Sequence, residues 1–119
     1  MPLALPATTS SNIRILSVRL FRRRRLAIAS FDSGHNAQSI PGILPAGAAP
    51  IMGQLGREVA FKVTKAGLYG IECRPHFGMG MVALIQVGAG IPPNLSAARA
   101  TSLPPLAARR MAPLLAQVR

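Results

Sequence analysis

Tryptophan is absent from these 119 residues, and aromatic side chains make up only 4% of them. Any core must therefore be aliphatic, in a chain that is 50% hydrophobic. Cysteine occurs once, at Cys73, so no disulfide forms within the chain and one thiolate is left for a metal. Acidic residues are nearly as scarce: Asp32, Glu58 and Glu72 stand against 14 lysines and arginines. Paired carboxylates and a nucleophile–histidine–acid set are both missing, so general acid–base catalysis has few candidates and the expectation is a protein that is not an enzyme. No apolar run approaches the ~20 residues that cross a bilayer. Residues 1–30 place Arg22 to Arg25 before only Leu26 to Ser30, too short an apolar region for a secretory signal. No internal repeat is visible.

The length fits one domain. Glycine and proline number 11 each, many of them in the middle of the chain, which favours a loop-rich β fold over a helical bundle. The net charge of +11 is concentrated in Arg22 to Arg25 and in Arg109, Arg110 and Arg119. A charge carried mainly by the ends says little about the core, and no nucleic-acid partner is expected. Three parts follow from the composition: an atypical basic segment over residues 1–30, expected to be irregular; a core over 31–90; and a helical extension over 91–119.

Period-2 alternation is clearest after Glu58. Val59, Phe61 and Val63 share one face of a strand. After a turn at Ala66-Gly67, Tyr69, Ile71 and Cys73 share one face of a second. Met81, Ala83, Ile85 and Val87 share one face of a third, whose other face, Val82 and Leu84, is also apolar. Cys73 and Met81 thus lie on core-facing rows at the two ends of the Pro75 to Gly80 loop. From Leu103 the period changes to three and four residues through Leu106, Ala107, Met111, Leu114, Leu115 and Val118, an amphipathic helix. Pro104 and Pro105 suit its start. Pro113 costs on the order of 3 kcal/mol in a helix interior, so a kink or an early end is expected there.

The segment Cys73-Arg74-Pro75-His76-Phe77-Gly78-Met79-Gly80-Met81 offers a thiolate, an imidazole and a thioether within nine residues. Soft sulfur with imidazole selects copper, and two histidines with one cysteine and a weak axial methionine make a blue-copper electron-transfer site. His35, in Gly34-His35-Asn36, is the only other histidine. The candidate ligands are therefore His35, Cys73, His76 and Met81, with Met79 as the rival axial donor. Asn36 is the candidate for tying the two ligand-bearing loops together by hydrogen bonds. Pro75, Gly78 and Gly80 shape the loop between the strands. Pro75, Phe77 and Met79 are read with equal weight as an apolar exit beside His76 or as a loop covering its own core.

These residues resemble the cupredoxins, and among them the pseudoazurin group. The resemblance rests on Gly34-His35-Asn36, on Ala66-Gly67-Leu68-Tyr69, on Cys73-x-Pro75-His76-Phe77-x-Met79-Gly80-Met81 and on Val82 to Gly88. An interval of 38 positions between His35 and Cys73 fits, and Pro93-Asn94-Leu95 continues the match. It runs from about Phe31 to Arg119. It implies an all-β Greek-key β-sandwich with a helical C-terminal tail and one copper ion. It further implies a periplasmic, monomeric electron carrier whose partner is a copper nitrite reductase or a cytochrome. A copper storage or delivery protein is the alternative, although no Cys-x2-Cys or Met-rich tract supports it. A truncated, non-functional product is a further alternative.

Residues 1–30 do not resemble the strands that precede the Gly-His-Asn loop in that family. They read as foreign sequence from a wrong start or a frame shift. On that reading the sandwich lacks regular N-terminal strands, and His35 is the ligand expected to be misplaced. Ser33 and Glu72 stand where the family often carries lysines around the copper, which implies an altered docking surface.

Overall fold

The computed structural model describes residues 24–28, 34–57, 59–63, 65–88 and 90–118. Among the described residues, five strands fall into two antiparallel sheets. β1 (Arg24–Ile28) pairs with β3 (Val59–Val63). β2 (Gln38–Ser39), β4 (Gly67–Glu72) and β5 (Val82–Val87) form the second sheet in the order β2-β4-β5. β3, β4 and β5 fall where alternation places them. β1 does not: the expectation of irregular chain through residue 30 fails at these five residues, which run in register from Arg24 opposite Val63 to Ile28 opposite Val59. Leu26-Ala27-Ile28 is enough apolar, strand-compatible sequence once β3 supplies a ladder. Residues 1–23 and 29–33 lie outside the described residues.

β4 is the organising strand, because each of its edges is satisfied. On one side β5 pairs with it from Gly67 opposite Val87 to Glu72 opposite Val82. On the other side β2 covers only Ile71 and Glu72. Beyond β2 the Ile40 amide donates to the Gly70 carbonyl and the Gly70 amide to the Ile43 carbonyl, both at 2.8 Å. Gly70 is required here, since a Cβ would sit 2.8 Å from Ile43. Further along, the Asn94 side chain imitates a strand. Its Oδ1 accepts from the Leu68 amide at 2.8 Å and its Nδ2 donates to the Leu68 carbonyl at 2.9 Å. Buried backbone groups on a central strand must be paired, and this amide pairs two of them.

The β2-β4-β5 sheet is buried on both faces. One face carries Tyr69, Ile71, Cys73, Met81, Ala83, Ile85 and Val87, packed with Ala37 and Ile51. The other carries Leu68, Val82 and Leu84 under Ile40, Ile43 and the two C-terminal helices. α1 (Leu95–Ala100) contributes Ala98, and α2 (Pro105–Ala116) contributes Ala107, Met111 and Leu114. These α2 residues keep the three- and four-residue spacing of the sequence, but Leu106 is 46% exposed and lies outside the cluster. α2 starts at Pro105 as expected and runs on through Pro113 to Ala116, which corrects the expected break. Both Pro113 and Arg109, whose carbonyl loses its helical donor, are exposed. Water can serve that carbonyl, while Leu114 holds the last turn against the sheet.

Candidate metal centre

β4 ends at Glu72, and β5 begins ten residues later at Val82. Between them a short 3-10 helix, Arg74–Met79, turns the chain back. Cys73 and Met81 flank it and close it, because the Cys73 amide donates to the Met81 carbonyl at 3.0 Å. Inside the loop the His76 amide donates to the Cys73 carbonyl at 3.0 Å, and the Met81 amide to the His76 carbonyl at 3.2 Å. Three donor side chains are thus held by local backbone bonds. Gly80 ends the helix in the left-handed region at φ +83°, where a Cβ would lie 3.0 Å from the Leu106 carbonyl of α2. Gly78 has open space around it and needs no such conformation.

His35 comes from a separate loop and is brought into place. Cys73 Sγ lies 3.7 Å from His35 Nδ1 and 3.5 Å from His76 Nδ1. Met81 Sδ lies 3.2 Å from His35 Nδ1. The two imidazoles stack with centroids 4.4 Å apart. The ligand atoms of His35, Cys73 and His76 all fall within 4.8 Å of one another. Cys73 is fully buried and Met81 nearly so, whereas both histidines are half-buried. Met79, the rival thioether, is 56% exposed. A thiolate, two imidazole nitrogens and a thioether converging in an apolar cluster fit a single copper ion. The expected misplacement of His35 does not occur.

Asn36 supplies the reason. Its Oδ1 accepts from the Arg74 amide at 2.7 Å, and its Nδ2 donates to the Gly53 carbonyl at 3.1 Å and to Gln38 Oε1 at 2.9 Å. The His35 carbonyl in turn accepts from the Gly56 amide at 2.8 Å. One buried side chain thus joins the residue after His35 to the residue after Cys73.

Glu72 corrects a second expectation. It is 0% exposed and so forms no part of a docking surface. Its Oε1 accepts from Gln38 Nε2 at 3.2 Å and from Arg74 Nη1 at 3.3 Å. Its Oε2 is buried with no partner among the described residues. Burial pushes the carboxyl above its ordinary range, while the hydrogen bond and charge of Arg74 pull it back. Gln38 and Gly53 carry no sequence signal for these roles; only the β2–β4 register brings Gln38 opposite Glu72.

The description "Copper binding proteins, plastocyanin/azurin family" matches residues 22–88, more than half of the chain. The chain belongs to this family of copper-binding proteins. The match begins at residue 22, upstream of the Phe31 boundary expected from motifs, and it includes β1. Pseudoazurin from Paracoccus pantotrophus is 46% identical over 87 residues, covering 73% of this chain and 59% of that protein. Pseudoazurin from Methylorubrum extorquens is 42% identical over 87 residues, covering 73% of this chain and 58% of that protein. The matched part therefore spans less than two thirds of these relatives. Among solved structures, the pseudoazurin of Methylobacterium extorquens AM1 superposes with a TM-score of 0.81 at 33% identity, covering 99% of this chain and 98% of that one. The pseudoazurin of Hyphomicrobium denitrificans gives 0.77 at 37% identity, covering 87% and 82%. The cupredoxin β-sandwich with a helical C-terminal part is the fold of this chain, and its cofactor is copper.

Proposed function

We propose that this chain carries single electrons through one copper ion held by His35, Cys73, His76 and Met81, with no substrate turnover of its own. The observation that carries the reading is the convergence of His35, Cys73 and His76, with Met81 against His35, on a frame tied by backbone bonds and by Asn36. Copper bound there supplies one-electron chemistry between Cu(I) and Cu(II). The protein's part is to hold the donors so that neither oxidation state requires them to move. Cys73, His35 and His76 are assigned as the principal donors. Met81, 7% exposed and beside His35, is assigned as the weak axial one in preference to exposed Met79.

His76 is half-buried and sits in the 3-10 turn with exposed Pro75 and Met79, which favours it as the route for electrons to leave. Phe77 packs instead against the helix-covered cluster, so the apolar exit is formed without it. A redox protein such as a copper nitrite reductase or a cytochrome is the partner by resemblance, and the periplasm the compartment. Of the charged side chains described, the exposed ones are Arg57, Lys65, Arg74, Arg99, Arg109 and Arg110, which suits a partner with an acidic surface.

Protein-film voltammetry with copper analysis before and after cycling tests this reading. A reversible one-electron couple with copper retained is expected. A storage or delivery protein would instead hold Cu(I) and show no reversible couple.

A further inference from the structure

Glu72 is a charge-bearing residue that the four-donor centre does not use. It immediately precedes Cys73, and it is completely buried. Both groups that reach it are donors, the Gln38 amide and the Arg74 guanidinium, and both reach the same oxygen, Oε1. One of the two is a guanidinium that stays charged, and its 3.3 Å ion pair with Oε1 favours the ionised carboxyl. Direction passes onward from it. With Nε2 committed to Glu72, Gln38 must present Oε1 to Asn36 Nδ2, and Asn36 then presents Oδ1 to the Arg74 amide. Arg74 closes the ring through its side chain, which is 67% exposed. A buried negative charge and a solvent-facing positive one therefore flank Cys73 in the chain.

Resting on the copper reading above, we propose that Glu72 and Arg74 are potential-setting residues of this centre that act in opposite senses. Glu72 favours Cu(II) and lowers the reduction potential; Arg74 favours Cu(I) and raises it. The two charges are unequal in solvent. Glu72 is buried and Arg74 exposed, so water and salt screen the charge of Glu72 less than that of Arg74. The net effect is a lower potential than a neutral residue at position 72 would give.

Potentiometric titration of the copper-loaded protein tests the pair. Glu72→Gln keeps an acceptor for Gln38 and Arg74 while removing the charge. At fixed ambient potential it should raise the Cu(I)-to-Cu(II) ratio on the order of tenfold, at low and high salt alike. Arg74→Gln, at an exposed position that folding tolerates, should lower the ratio at low salt, and added salt should shrink that change. Both variants should keep the thiolate-to-copper absorption band of the wild type. An unchanged ratio in both variants, with the band intact, overturns the proposal and leaves the copper reading standing. Wild-type protein that takes up Cu(II) without the band overturns the copper reading itself. If Glu72→Gln does not fold, Arg74→Gln decides alone: a salt-sensitive fall supports the pair, and no change refutes it.

Discussion

The two faces of the β2-β4-β5 sheet use the same three strands for different ends. Tyr69, Ile71, Cys73, Met81, Ala83, Ile85 and Val87 line the face that ends in the donors Cys73 and Met81. Even-numbered Leu68, Val82 and Leu84 line the face covered by α1 and α2, which holds no metal donor. A slip of one residue would exchange the two sets. Since both faces are buried, packing on the helix side pins the register that sets Cys73 against Met81 on the other. The metal centre thus inherits its geometry from an aliphatic core that takes no part in the chemistry. The exception is His35, which reaches the site from outside the β4–β5 hairpin and is tied to it by Asn36.

The largest expected effect tests the division of labour between the faces. Met111→Ala opens a cavity in the helix-covered cluster and should cost about 2–5 kcal/mol of unfolding free energy. The absorption spectrum of the copper form should stay unchanged. Loss of the spectrum at a small stability cost would show that the faces are not separable in this way.

A smaller effect separates His35 from the donors of the β4–β5 connection. Asn36→Leu removes the tie to the Arg74 amide, and copper affinity should fall about 10–100-fold in competition with a chelator. An unchanged affinity would mean that the Gly56 amide and the stacking on His76 hold His35 unaided.

Met81→Gln addresses the donors' ranking within one face. It should keep copper bound, because the axial bond is weak, and lower the reduction potential, because an oxygen ligand favours Cu(II). Met79→Gln should leave the potential where it is; the reverse pattern would transfer the axial role to Met79.

The smallest effect belongs to Tyr69, on the metal-bearing face but away from the donors. Its hydroxyl donates to the Lys65 carbonyl at 2.8 Å, and burial raises its pKa above the ordinary value of 10.0. Tyr69→Phe should cost about 1 kcal/mol near neutral pH. A raised folded-state pKa means that the tyrosine's contribution is complete below about 10 and lost as pH climbs through the folded value. The gap between wild type and Tyr69→Phe should therefore close at alkaline pH. A gap that widens there would reverse the assigned shift.

The strands and the donors were legible because their signals are local. Alternation from Val59 to Val87 needs only neighbouring residues to read, and Cys73, His76 and Met81 fall within one nine-residue segment. What escaped depends on partners far away in the chain. Glu72 reads as a surface charge until Gln38, 34 positions earlier, is seen opposite it. Asn94 stands in the sequence only as part of Pro93-Asn94-Leu95, until Leu68, 26 positions earlier, takes both of its hydrogen bonds. Arg24 and Arg25 hide a strand because a run of charge suppresses the apolar pattern, and the ladder to Val63 and Lys62 does not depend on that pattern. Pro113 argued for a break because propensity counts the lost hydrogen bond and omits the packing of Met111 and Leu114 on the sheet.

The central claim is that Cys73 and its three companions hold one copper ion as a blue-copper centre. Titrating the metal-free protein with Cu(II) and following visible absorption tests it most directly. An intense thiolate-to-copper band that saturates at one equivalent, and that Cys73→Ser abolishes, is the result expected. A colourless product, or a band that survives in Cys73→Ser, would contradict it.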